Sequence, residues 1–174
     1  MSKENLKKSK LSRTIIAIAS VMMLSSCVFP YEKGAWWKGG YMSAENADGT
    51  VEVSYSSSPL SKYEIVRIYT VYRATELAKE RDANVMAILR MSTRSSQSQI
   101  STYCTVRFLK VNEAGLKLVR DKSQATSMAE DTLAKGNFYS ELYAVEDLQN
   151  KLEKYIVRSE KDVKVQSKGS DEKN

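Results

Sequence analysis

Cys27 and Cys104 are the two thiols of a 174-residue chain that contains no histidine. Without imidazole the commonest general base and metal ligand is missing. Ser-His-Asp and Cys-His arrangements and histidine-based zinc sites are therefore excluded. Two cysteines are also too few for a thiolate zinc site or an iron–sulfur cluster within one chain. Neither standard glycine-rich phosphate loop occurs. Arg73 and Glu76, three residues apart, share a face of a predicted helix. They can make a polar site beside a sheet, but a structural ion pair is the commoner use of that spacing. Glu141, Glu146, Asp147 and Glu153 read as a solvated helix face, and nothing sets two of them at the separation a glycosidase needs. Tyr63, Tyr69 and Tyr72 fall on one predicted helix, among ten tyrosines. They either line a pocket for carbohydrate or lipid or, more commonly, fill a core with their hydroxyls at its rim. The expectation is a protein that is not an enzyme, with no catalytic, cofactor-binding or metal residues.

Cys27 has a setting that Cys104 lacks. "MSKENLKKSKLSR" is polar and positive, "TIIAIASVMML" (Thr14 to Leu24) is apolar, and "LSSC" (Leu24 to Cys27) follows. That is the order of a signal peptide. The eleven-residue apolar run would be about 16 Å long as a helix, against a bilayer core of ~30 Å. Leu24-Ser25-Ser26-Cys27 resembles the bacterial lipobox: an apolar residue, two small residues, then cysteine. The resemblance implies cleavage between Ser26 and Cys27. It also implies a diacylglycerol thioether on Cys27 and an acyl chain, such as palmitate, on the new N-terminus. Two or three such chains anchor stably. Val28 stands where an aspartate would resemble an inner-membrane retention signal, which favours the outer membrane. The chain carries 27 basic and 21 acidic residues, but Lys3, Lys7, Lys8, Lys10 and Arg13 against Glu4 fall in the leader, leaving only +2. A nucleic-acid partner needs a basic stripe on the folded domain and is not expected.

The elements that must position these residues follow from periodicity. "CVFPYEKGAWWKGG" reads as a tether broken by Pro30, Gly34, Gly39 and Gly40. Its Trp36 and Trp37 either lie at the membrane interface or cap the core. Asp48-Gly49 predicts a hairpin turn, and in "TVEVSY" Val51, Val53 and Tyr55 share a face. Ser58-Pro59 and the Ser61 to Glu64 capping box predict the start of a helix running to Asp82. "NVMAILRMS" predicts a strand buried on both sides near the sheet centre. "YCTVRFLKV" predicts another, with Cys104, Val106 and Phe108 inward, so that Cys104 is a small core residue. In 112–137, "LKLVR" predicts a short strand and "SQATSMAEDTLAKG" a short helix. "ELYAVEDLQNKLEKYIV" predicts a closing helix through Leu142, Val145, Leu148, Leu152, Tyr155 and Ile156. The charged stretch from Arg158 reads as a disordered tail. The expected fold is α+β: a two-layer sandwich in which two helices pack a small, mostly antiparallel sheet. Its domains are a signal peptide (1–26), a lipidated tether (27–40), the folded domain (41–157) and the tail (158–174).

"VEVSYSSSPLSKYEIVRIYTVYRATELAKERDANVMAIL" resembles a family of uncharacterised Gram-negative bacterial lipoproteins. The likeness lies in the helix core Tyr72, Arg73, Ala74, Thr75, Glu76, Leu77 and in "YAVEDL" (Tyr143 to Leu148), and covers roughly 40–157. Asp82 stands where that family usually has glycine, at a position where Asp tolerates left-handed geometry. The resemblance implies a lipoprotein of this fold and supplies no activity. The expected role is that of a non-catalytic, lipid-anchored envelope protein facing the periplasm, structural or bound to an envelope partner. The alternative is a binding module for a small apolar or glycan ligand, using the tyrosine helix or the 112–137 loop.

Overall fold

A computed structural model of the chain describes residues 30–34, 39–125, 135–136, 138 and 141–158. Its strands are β1 (Gly40–Glu45), β2 (Val51–Ser57), β3 (Val85–Ser95), β4 (Ile100–Leu109) and β5 (Leu142–Ala144). Its helices are α1 (Tyr63–Glu80), α2 (Glu113–Ala125) and α3 (Val145–Glu153). The five strands form one antiparallel sheet in the order β1-β2-β4-β3-β5. β2 and β3 both run antiparallel to β4, so β2-α1-β3 is a β-α-β unit with β4 inserted between its strands. The class is α+β, as the sequence pattern predicts.

The hairpin between β1 and β2 closes at Asp48-Gly49. The Asp48 carboxylate accepts from Thr50 N at 3.0 Å and Thr50 Oγ1 at 2.6 Å. Val51, Val53 and Tyr55 then turn into the core with Cys104 and Val106 of β4. α1 lies across β2 and β4 and is enclosed on nearly all sides. Val66, Ile68, Tyr69, Val71, Tyr72, Ala74, Leu77 and Ala78 are all buried. Two buried threonines within it are satisfied by the helix itself: Thr70 Oγ1 donates to Val66 O at 2.8 Å and Thr75 Oγ1 to Tyr72 O at 2.7 Å.

The start of α1 differs from expectation. Ser58 to Ser61 form a turn, the helix begins at Tyr63, and its N-cap Lys62 makes no side-chain cap. Ser61 is taken by the strand end instead, its hydroxyl 2.8 Å from that of Ser57. At the other end Ala83 N donates to Ala78 O and Asp82 N to Lys79 O, with Asp82 left-handed at φ 55°. This paired closure is the usual one for a glycine-terminated helix, here made by an aspartate.

Two segments depart from the sequence reading. "LKLVR" is helical, not extended: it lies inside α2, whose first turn is capped by Asn112 Oδ1 accepting from Gly115 N at 2.9 Å. Leu116 and Val119 then point one way, while Leu118 is exposed. Leu142 to Ala144 are extended, not the first turn of the closing helix. They pair with Ala87 to Val85 as β5. The reason lies in the sheet: β3 would otherwise leave backbone donors and acceptors open at its edge. The tract "NVMAIL" is an interior strand, between β4 and β5, with Val85 buried on one face and Met86 and Ile88 on the other, and it departs from expectation only at Leu89, which is exposed.

α1 and α3 cover one face of the sheet. Val85, Leu109 and Ala144 stand on the other face and meet Leu116 and Val119 of α2. Three helices, not two, therefore pack the sheet among the described residues, with α2 over one end of the second face.

The expected tether is also partly built in. Tyr31 is 4% exposed and belongs to the main core. Its N donates to Val157 O at 2.7 Å, Tyr41 N donates to Glu32 O at 2.9 Å, and Gly34 N to Tyr41 O at 2.8 Å. Residues 31–34 thus join the edge of β1 to the segment at 157–158. Gly40 makes the approach possible. Its φ is +99°, and a Cβ there would lie 2.6 Å from Glu32 O. Trp36 and Trp37, the leader with Ser26 and Cys27, and the tail beyond Arg158 lie outside the described residues.

Candidate functional site

Arg73 and Glu76 are brought together as the helix spacing requires, Nη1 to Oε2 at 3.0 Å. They belong to a larger arrangement at the rim of the core. Arg73 Nη1 also reaches Glu80 Oε1 at 2.9 Å, and its guanidinium lies 4.8 Å over the Tyr41 ring. Tyr31 donates its hydroxyl to Glu76. Burial works against the charge on Arg73, but its bonds to Glu76 and Glu80 outweigh that and hold the guanidinium protonated more firmly than usual. One helical turn away, Tyr72 donates to Glu153, and Arg158 Nη2 meets both Tyr72 OH (2.7 Å) and Glu153 Oε1 (2.8 Å). Tyr69 OH accepts from Val157 N at 2.9 Å. These groups clip the two ends of the described domain to α1.

Tyr31, Tyr55, Tyr69 and Tyr72 fill the core, with Tyr41 packed against them. Tyr31 packs on Tyr69 and Tyr72 edge-on, at 5.5 and 5.3 Å between ring centres, and on Tyr41 at 5.0 Å. Tyr55 meets Tyr69 edge-on at 5.0 Å. Burial pushes the phenols of Tyr31 and Tyr55 well up and raises that of Tyr69, and burial with the bond to Glu153 takes Tyr72 to about 12. Tyr63, the third tyrosine of the helix, stands out in solvent at 50% exposure. Cys104 is fully buried, and burial pushes its thiol up to about 12. A thiol so placed is protonated and inaccessible, which suits packing and not nucleophilic attack. The carboxylates of the closing segment are spread out by their partners. Asp147 is held bidentate by Arg120, at 2.9 and 3.2 Å, with Glu146 3.6 Å from the same guanidinium, and Glu153 belongs to the Tyr72 clip.

The face of the sheet left open beside α2 was not legible as a site. From Arg90 onward β3 presents Arg90, Ser92 and Arg94 to that face. They stand opposite Thr105, Tyr103 and Ser101 of β4, which stand opposite Glu52, Ser54 and Ser56 of β2. A bulge between Ile88 and Arg90 makes this arrangement. Alternation from the buried Ile88 would send Arg90 and Arg94 into the core. The bulge absorbs Leu89 as an extra, exposed residue and reverses the phase, so that Met91 packs inward and the arginines point out. The result is a shallow depression of about 240 Å³ lined by Glu52, Arg90, Ser92, Arg94, Tyr103 and Thr105. Arg94 lies 5.6 Å over the Tyr103 ring, and the Ser56 and Ser101 hydroxyls are 2.8 Å apart. Among the described residues, no carboxylate forms an ion pair with Arg90 or Arg94. The signal available for it is the "RMSTRS" tract, in which Met91 alone is apolar. Its reading depended on a phase that only the bulge decides.

A second hollow of about 210 Å³ lies between Lys79, Asn84, Leu116, Arg120 and Glu146. Its Arg120 is engaged by Asp147. Among the described residues, no cluster of three or more Cys, Asp or Glu side chains is placed to hold a metal ion, and no helix is long and apolar enough to cross a membrane. Comparison with protein-family models, with curated proteins and with solved structures finds no match for this chain.

Proposed function

We propose that this chain is a lipid-anchored lipoprotein of a bacterial cell envelope, held at the outer membrane facing the periplasm. Its folded domain has a non-catalytic role, structural or bound to an envelope partner. The observation that carries this reading is the position of Cys27, at the end of Leu24-Ser25-Ser26-Cys27, four residues ahead of the core residue Tyr31. Four residues reach at most about 14 Å when fully extended. An acylated Cys27 would therefore hold the domain against the bilayer and not on a long leash. Lys33 and Val157, the latter 62% exposed, lie at this end and suit a headgroup surface. The chemistry of the domain supports a non-catalytic role. Its buried Cys104 is shut in the core, and Glu76, Glu153 and Arg158 help clip Tyr31 and the 157–158 segment to α1.

The test is cell fractionation with mass spectrometry of the N-terminus. The native chain is expected in the membrane, cut before Cys27 and carrying acyl chains. The Cys27→Ser chain is expected to be uncut or unanchored. Recovery of Cys27→Ser as cut, membrane-bound protein would refute the anchor. Crosslinking in intact cells tests the partner role: reproducible capture of one envelope protein supports it, and capture of none overturns it. The reading as a ligand-binding module has one observation in its favour, the open polar face of the sheet.

A further inference from the structure

We infer that the open face of β2, β4 and β3 is a binding site for an acidic glycan. Three observations converge on it. First, the face is built of hydroxyls: Ser54, Ser92, Tyr103 and Thr105 are partly exposed on three paired strands, beside Ser56 and the buried Ser101, whose hydroxyls meet each other. The partly exposed hydroxyls offer both donors and acceptors, which matches a polyol better than an apolar partner. Second, it is flanked by two cations with no carboxylate partner among the described residues. Arg90 and Arg94 stand four residues apart on one strand, about 13 Å along it. A guanidinium binds a carboxylate through two parallel N–H···O bonds, so a chain bearing repeated carboxylates can engage both while its hydroxyls meet the serines between. Third, the chain breaks its own strand regularity to make the face: the bulge at Ile88–Arg90 is what points both arginines outward. Bulges of this kind often sit beside functional sites, where they re-aim side chains.

Charge argues the same way. Glu52 at one end of the depression repels a uniformly dense polyanion such as a nucleic-acid backbone but leaves room for a polymer with spaced charges. Arg94 already covers one face of Tyr103, which removes a free stacking platform for bases. A flat anionic membrane would favour lysines and an apolar rim over a field of serines.

The inference rests on the envelope reading only for where such a glycan would be met, and the two fail separately. Loss of anchoring in Cys27→Ser would leave glycan binding intact. The test uses the full chain purified and reconstituted into phosphatidylcholine nanodiscs, free of detergent, titrated by calorimetry with an oligogalacturonate, with dextran as a neutral glycan, inorganic phosphate, and phosphatidylglycerol vesicles. Oligogalacturonate is expected to bind, and more weakly as salt is raised. Arg90→Gln and Arg94→Gln are each expected to weaken it about tenfold or more, and Lys110→Gln, remote from the face, to leave it unchanged. All three side chains are exposed, so unfolding midpoints should match the native chain. Equal binding of dextran, no binding of oligogalacturonate, or arginine-dependent binding of phosphate or vesicles alone would each overturn the assignment.

Discussion

Truncating Tyr31 tests whether residues 30–34 belong to the fold or merely precede it. The ring is 4% exposed and touches four other tyrosines, with centroids 5.0 to 6.4 Å away. Removing a buried aromatic ring costs about 3–5 kcal/mol where the site cannot collapse. Collapse is hindered here, because Tyr55, Tyr69 and Tyr72 are themselves pinned by the sheet and by α1. Tyr31→Ala should therefore lose about 3–5 kcal/mol and lower Tm by roughly 10–20 °C. Tyr31→Phe keeps every ring contact and loses only the hydroxyl given to Glu76. Glu76 retains Arg73 and some access to water, so the cost should be about 1 kcal/mol. Tyr63→Ala, on the exposed side of the same helix, should stay within about 0.5 kcal/mol of the native chain. Urea unfolding of the four chains, followed by near-ultraviolet circular dichroism, measures all three differences. If Tyr31→Ala unfolds within about 1 kcal/mol of the native chain, the segment is not part of the cooperative core and the short-anchor geometry falls with it.

Gly40→Ala should be far more damaging than Gly49→Ala. Both positions are left-handed, but a Cβ at Gly49 meets nothing within 4 Å while one at Gly40 lies 2.6 Å from the Glu32 carbonyl. Denaturation midpoints should show about 1 kcal/mol for Gly49→Ala and at least twice that for Gly40→Ala. Cys104 should be silent to a disulfide reagent in the folded chain and react at once in denaturant, since its thiol is buried and pushed up to about 12. Fast labelling under native conditions would show that the core opens there. Stability should fall as pH rises above 10. The phenols of Tyr31, Tyr55, Tyr69 and Tyr72 are raised by burial, so the folded state keeps protons that the unfolded state has already released. Their contribution is therefore fully present below pH 10 and is lost as pH climbs toward the folded values. Urea midpoints at pH 8 to 11 measure it, and a flat profile would contradict the buried cluster.

Local pattern was enough for several elements. Val51, Val53 and Tyr55 alternate and share the core face, Asp48-Gly49 makes the hairpin, and Cys104 packs inward with Val106. The Arg73–Glu76 spacing closes as an ion pair because three residues on a helix return to the same face. All of these depend on contacts within a few residues, or on a period that the sequence displays directly.

The remaining features were decided by surfaces distant in sequence. Leu142 to Ala144 became a strand because the open edge of β3, more than fifty positions earlier, offered backbone partners that a helix turn does not need. "LKLVR" became helix because Asn112 caps it and because Val85 and Ala144 present a surface for Leu116 and Val119. Tyr31 entered the core because Tyr69 and Tyr72 of α1 and the carbonyl of Val157 wait for it, although the Pro30, Glu32, Lys33 and Gly34 around it show no strand or helix period. The polar face appeared because one extra residue at Leu89 shifts the alternation of β3 by a single step. A period-two pattern states which residues go together but not which side they face. That choice belongs to the register of the whole sheet.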